Sequence, residues 1–230
     1  MTPYLVFMKS SQKEAFLAYE ANAWFERNFK VISNYSPDND RVVGLIEEYG
    51  LKPTSVLEIG CSAGYRLEGI RSRISGCNVH GVEPSTQAID YGRSHYPKVN
   101  FLNGTADDLS EYGDESMDIV IVGFVFYVVD RAILFKVIAE IDRVLKNGGV
   151  LIIVDFFSEK ALMNAYHHIQ NFSAFSFKQN YDEVFTASKL YYLLDKSTWS
   201  HSEKGRDASD DYHDKYSISL LKKDNSASYK

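Results

Sequence analysis

Cysteine is scarce: Cys61 and Cys77 are the only two in 230 residues. Two thiols make no disulfide framework, so the expected setting is a reducing one, the cytoplasm. Long apolar runs are also missing. Tyr4 to Met8 is five residues long with no basic segment before it, which reads neither as a signal peptide nor as a membrane anchor. No later run reaches the roughly 20 residues of a membrane span, so no membrane partner is expected. Positive charge is in deficit, 25 Lys and Arg against 31 Asp and Glu for a net −6, and no basic run is interleaved with aromatics. A phosphate backbone finds no attraction there, which argues against nucleic acid. The six His and two Cys show no ligand spacing, and no metal is expected.

What the chain has in quantity is aromatic residues, 16 Tyr and 14 Phe, concentrated before residue 36 and after residue 156. The stretch between them alternates. Helical periodicity over Ser10 to Lys30 and Arg41 to Tyr49 is followed by a strand at Ser55 to Ile59, a helix at Tyr65 to Ile74, a strand at Asn78 to Val82 and a helix at Thr86 to His95. Strands at Val99 to Leu102 and Asp118 to Val122 come next. The clearest helix, Arg131 to Lys146, has Asp130 to cap its start and Gly148 its end, and leads into the near-continuous apolar strand Val150 to Val154. This order predicts βαβ units, a parallel sheet and a doubly wound α/β fold. Past Asp155 the pattern gives an aromatic region to Tyr192, a polar loop from Ser200 to Lys215, a last strand at Tyr216 to Leu221 and a frayed tail over 224–230. One domain is expected over 1–230.

The turn Glu58-Ile59-Gly60-Cys61-Ser62-Ala63-Gly64 follows a strand and opens a helix. Its glycines are expected to let the backbone approach a ligand and to aim helix N–H groups at it. A dinucleotide fingerprint needs Gly at 60, 62 and 65, but 62 is Ser and 65 is Tyr. Glu58 repels a diphosphate and suits a cationic, amine-bearing ligand. Glu83 stands 19 residues past Gly64 at the end of the next strand, placed to accept from both hydroxyls of a ribose.

With Glu58, Gly60 and Gly64 the chain resembles the class I S-adenosylmethionine (SAM)-dependent methyltransferases. Ser62 departs from that pattern at its middle glycine, which a negative φ would accommodate. Three further stretches extend the resemblance: Asn103 to Leu109 looks like the adenine-edge loop, Asp118 to Asp130 like the fourth strand and its loop, and Asn147 to Leu151 like the turn into the fifth strand. The resemblance implies a Rossmann-like, mostly parallel seven-stranded sheet with an antiparallel last strand and helices on both faces. It implies SAM as cofactor, held by Glu58, Gly60, Cys61, Ser62, Gly64, Glu83, Pro84, Thr105, Ala106, Gly123 and Phe124. It divides the chain into an N-terminal helical lid (10–36), a SAM-binding core (40–157) and an acceptor region (158–223), with Arg27 of the lid facing the methionine carboxylate.

Methyl transfer to oxygen or nitrogen requires an oriented nucleophile and often a base. His167, His168 and Tyr127 are the candidates, with Tyr181 behind them; histidine is the residue most readily tuned for the task. The segment Tyr166-His167-His168 with Phe175 to Asp182 is loosely similar to methyltransferases of bacterial surface-polysaccharide pathways, which implies a small-molecule acceptor with a sugar-type hydroxyl. An NAD-dependent oxidoreductase and a SAM-binding protein without catalysis remain as alternatives.

Overall fold

The computed structural model describes residues 12–170, 172–203, 205–207 and 211–226. Five strands, β1 (Ser55–Ile59), β2 (Asn78–Glu83), β3 (Asn100–Asn103), β4 (Met117–Gly123) and β5 (Leu145–Phe156), lie parallel in the order β3-β2-β1-β4-β5. A separate ribbon pairs β6 (Leu162–Ala165) with β7 (Phe175–Lys178). The chain then returns to the main sheet as β8 (Tyr191–Ser200) and β9 (Lys215–Lys223). β9 inserts antiparallel between β5 and β8, setting Val150 against Lys222 and Phe156 against Tyr216. The sheet is the expected one: seven strands, mostly parallel, with an antiparallel last strand.

The alternation of side chains sends each central strand into two cores at once. Leu151 and Ile153 of β5, Val120 and Val122 of β4, and Leu57 and Ile59 of β1 pack on one face with helix α6 (Leu134–Val144). Val150, Ile152 and Val154, with Ile119, Ile121 and Val56, pack on the other, against α3 (Arg41–Glu48) and α4 (Tyr65–Arg73). Each such side chain contributes roughly 1.5–3 kcal/mol by burial. Glu58 lies on the second face, where an apolar residue would be ordinary. The strand order reverses between β1 and β4, and the carboxyl ends of these two strands are the usual ligand position in such a sheet.

Several expected boundaries moved. The N-terminal helix is two helices, α1 (Gln12–Tyr19) and α2 (Ala21–Ser33), broken at Glu20, whose side chain is buried beside Arg27 and Tyr166. The helix expected from Arg131 begins at Leu134, because the Arg131 guanidinium turns back to the carbonyls of Val129 and Phe126; Asp130 caps the preceding turn through Ala132 N (2.9 Å). It ends at Val144, since Leu145 pairs with Met117 in the sheet. Gly148, at φ +79°, lies in the strand segment and not in a helix cap. The aromatic region holds the ribbon, a short helix α7 (Asp182–Thr186) and the start of β8, none of which the periodicity revealed. The apolar start at 4–8, Ser10 and the last four residues lie outside the described residues.

Candidate active site

The turn after β1 is tied to β2 before any ligand is considered. Gly60 N and Cys61 N donate to Val82 O (2.9 and 3.3 Å), and Ser62 N donates to the Glu83 carboxylate (2.9 Å). Gly60 and Gly64 both have φ +75°. A Cβ on Gly60 would stand 2.5 Å from Val125 Cγ2 and 2.9 Å from Gly123 O; one on Gly64 would stand 2.6 Å from the Phe101 ring. The glycines therefore serve packing of the turn on β4 and β3. Ser62 has φ +49°, so the negative φ that would accommodate serine is not what the turn adopts. The residue is held in the left-handed region, and its buried hydroxyl has no partner. Cys61 packs against Gly81, and burial raises its thiol well above the ordinary value.

Glu83 closes β2 with both carboxylate oxygens accepting backbone N–H groups, from Ser62 and Ser85 (2.9 Å each). Burial pushes its pKa up to about 7 even though those two bonds favour the anion. Pro84 follows, its carbonyl accepting from the Asn103 amide (3.0 Å). In the next loop the Thr105 hydroxyl donates to Asp107 (2.9 Å), Ala106 is buried, and Lys13 of α1 pairs with Asp107 (2.7 Å). With Thr105 and Lys13 on it, the Asp107 carboxylate falls below its ordinary pKa despite burial.

Glu58 is 2% exposed. Its Oε1 accepts from Arg66, which also donates to Asp40 (2.8 Å), so one guanidinium at the start of α4 bridges two buried acids. Oε2 of Glu58 is buried with no partner, and Oε1 lies 3.4 Å from where a Gly123 Cβ would stand. Burial raises the Glu58 pKa, with Arg66 opposing. Gly123 ends β4, and Phe124 beyond it has φ +52°. Every residue named for cofactor contact thus falls on the ends of β1 to β4 and the loops that leave them.

Residues 57–153 match the family model of the methyltransferase domain. That match runs from β1 into β5 and takes in the glycine turn, the part of the chain whose motifs resemble the SAM-dependent methyltransferases. The ubiquinone/menaquinone biosynthesis C-methyltransferase UbiE of Campylobacter jejuni is 26% identical over 114 residues, 47% of each chain. The thiol S-methyltransferase TMT1B of Rattus norvegicus is 31% identical over 120 residues, again 47% of each. The matches thus span about half the length of these curated relatives. Among solved structures, the Burkholderia thailandensis 1,6-didemethyltoxoflavin-N1-methyltransferase, bound to its heterocycle and S-adenosylhomocysteine, superposes with TM-score 0.68 at 14% identity, covering 98% of this chain and 93% of that one. That likeness is one of fold. The residues of the turn fit SAM on their own chemistry: an orphaned Glu58 oxygen and an orphaned Ser62 hydroxyl sit in the turn, and Glu83 stands at the end of β2.

The acceptor candidates are dispersed. Tyr127 is buried beside Tyr166, shares a hydrogen bond with it, and is pushed well above its ordinary pKa by burial, so no phenolate is available near neutral pH. His167 and His168 are exposed, their rings 4.1 Å apart on the turn beside Tyr166; burial and Arg27 lower His168. No hydrogen bond joins either to the glycine turn among the described residues. Tyr181 is in the core, its hydroxyl donating to Phe177 O (2.7 Å) and Phe126 O (3.1 Å), which removes it from the candidates. Arg27 pairs with Glu20. Sequence reasoning missed Arg66 and Asp40, whose role needs α3 and α4 side by side, and it missed Asp155 and His201. Asp155, buried at the end of β5, is raised to about 7 by burial while Phe156 N donates to it (2.8 Å).

Proposed function

We propose that the chain transfers a methyl group from SAM to a small-molecule acceptor. The observation that carries this is the Glu58 carboxylate: a buried acid at the end of β1, its Oε1 held by Arg66 beside Gly123 and its buried Oε2 lacking a donor, in the same turn as the unpartnered Ser62 hydroxyl. A cationic amino group supplies that donor; a diphosphate does not. In this reading Glu58, Gly60, Cys61, Ser62, Gly64, Gly123 and Phe124 hold the methionine end, Glu83 and Pro84 the ribose, and Thr105 and Ala106 the adenine edge.

When bound, SAM supplies a methyl carbon on a sulfonium, whose carbon–sulfur pair returns to sulfur on transfer. The chain must then orient the acceptor, exclude water and accept a proton. Helices α1 and α2 are suited to the exclusion, forming the lid of this proposal. Gln12 donates to Val128 O (2.8 Å), Lys13 to Asp107, and Asn22 accepts from Ser85 Oγ (2.8 Å), so together they cross from the β4 loop to the start of helix α5 (Thr86–His95). The net charge of −6 supports a small molecule over nucleic acid. A sugar-type hydroxyl rests only on the loose likeness of 166–182, and nothing in the site adds to it.

S-adenosylhomocysteine at about 100 times its dissociation constant is expected to add about 2.7 kcal/mol of stability, read as a rise in Tm, while NAD gives none. A rise with NAD and none with S-adenosylhomocysteine overturns the proposal.

A further inference from the structure

The carboxyl edge carries a second constellation. Phe124, Phe156 and Tyr216 come from the ends of three adjacent strands, β4, β5 and β9, and His201 from the segment leaving β8. The His201 ring lies 4.7 Å from Tyr216, 5.4 Å from Phe156 and 5.5 Å from Phe124, centroid to centroid. A cavity of about 200 Å³ reaches from Asp40 and Arg66 to Phe124, His201 and Tyr216. It joins the ion pair that holds Glu58 to this cluster of rings.

Two cations flank the cluster. Arg41 donates to the Tyr216 hydroxyl (2.8 Å) and lies over Trp199, 3.9 Å from the ring centroid. Lys178 is buried, 4.3 Å over the Phe156 ring, with the carbonyls of Tyr212 (2.9 Å) and His213 (3.0 Å) as acceptors. His201 itself is solvent-exposed. The charged groups that act on it are Asp214, Lys178 and Arg41; desolvation and the two cations hold it neutral, and Asp214, bonded to Ser202 Oγ (2.6 Å), opposes them.

We propose that this aromatic box is the acceptor subsite, that it takes a flat phenolic acceptor, and that His201 receives the phenolic proton. The inference rests on the methyl-transfer reading. Rings present faces to a flat ring at little entropic cost, and Arg41 and Lys178 favour an anionic oxygen. A phenol, with pKa about 10, is within reach of an imidazole; an aliphatic hydroxyl, nearly as weak an acid as water, is not. The O–H bond breaks with its proton passing to the imidazole, the oxygen pair becomes the bond to the methyl carbon, and the carbon–sulfur pair stays on sulfur. The imidazolium then releases its proton to water.

The test uses the full chain loaded with S-adenosylhomocysteine and 4-nitrophenol, whose anion absorbs in the visible, near pH 6. Wild type is expected to give a saturable rise in nitrophenolate absorbance. His201→Gln, with an unchanged Tm, is expected to lower that bound-anion signal about tenfold, and His201→Asn provides the same test should the first fail to fold. A Tm rise with S-adenosylhomocysteine but no saturable nitrophenolate signal overturns this inference and leaves methyl transfer standing, as does a full signal in both variants. No Tm rise with S-adenosylhomocysteine overturns the methyl-transfer reading itself.

Discussion

Glu83 ties the cofactor proposal to pH. Burial raises its pKa from the ordinary 4.5 to about 7. The neutral acid is therefore favoured in the folded protein. Its contribution to stability is full below pH 4.5 and is lost as pH rises through about 7. The gap corresponds to a loss on the order of 3 kcal/mol. Cofactor binding runs the other way, because ribose hydroxyls donate to a carboxylate and favour the anion. Affinity for S-adenosylhomocysteine should fall about tenfold, or about 1.4 kcal/mol, for each pH unit below 7. Glu83→Gln removes the titration. One of its amide hydrogens then faces a backbone N–H of Ser62 or Ser85, so affinity at about pH 8 should drop 10- to 100-fold, the worth of a charged hydrogen bond. Calorimetric titration of both proteins across about pH 5.5 to 8, in two buffers of different ionisation enthalpy, measures affinity and proton release together. Glu58 is also raised by burial, so the difference between the two proteins is the decisive quantity. Equal pH slopes in wild type and Glu83→Gln would refute the reasoning.

Other perturbations separate the parts of the turn. Gly60→Ala meets both φ +75° and a contact of 2.9 Å with Gly123 O, and should lower the urea-derived stability on the order of 1–3 kcal/mol; a change near zero refutes the packing account. Ser62→Gly relieves φ +49° and removes an unpartnered hydroxyl, so the free protein should gain about 1 kcal/mol while S-adenosylhomocysteine affinity falls; a lower urea midpoint counts against it. Arg66→Met leaves Glu58 and Asp40 buried without their cation and should cost about 3–5 kcal/mol near neutral pH. Because Glu58 then protonates more readily, that loss should shrink on acidification, and a pH-independent loss sinks the explanation. Lys13→Ala cuts the tie of α1 to Asp107, a partly exposed pair worth about 1 kcal/mol at most; amide exchange in α1 should quicken with Tm unchanged, and unaltered exchange argues against a lid.

The sheet was legible because its strands are local. Ser55 to Ile59 and Val150 to Val154 are apolar runs bounded by glycine or by turns, and a strand buried on both faces needs nothing else to announce it. The helix at Thr86 to His95 was legible from its periodicity, and Ser85 caps it, its hydroxyl accepting from Ala88 N (3.1 Å). By contrast β8 was hidden. Its residues Tyr192, Leu193 and Leu194 are exposed on an edge strand with a bulge between Leu193 and Asp195, so no clean alternation survives in the sequence. The break at Glu20 was hidden for another reason: nothing in the local sequence stops a helix there, and only Arg27 and Tyr166 account for burying that carboxylate.

The sequence by itself determined the parallel core, the glycine turn, and the two acids Glu58 and Glu83 at successive strand ends, because each depends on residues within a few positions of one another. Tertiary structure alone decided what those acids meet. Arg66 reaches Glu58 and Asp40 only because α3 and α4 pack on the same sheet face. His201 reaches Phe124, Phe156 and Tyr216 only because β9 threads between β5 and β8. A strand's own pattern says which face it buries and not which strand lies beside it, and it is the neighbour that brings residues 124, 156, 201 and 216 to one edge.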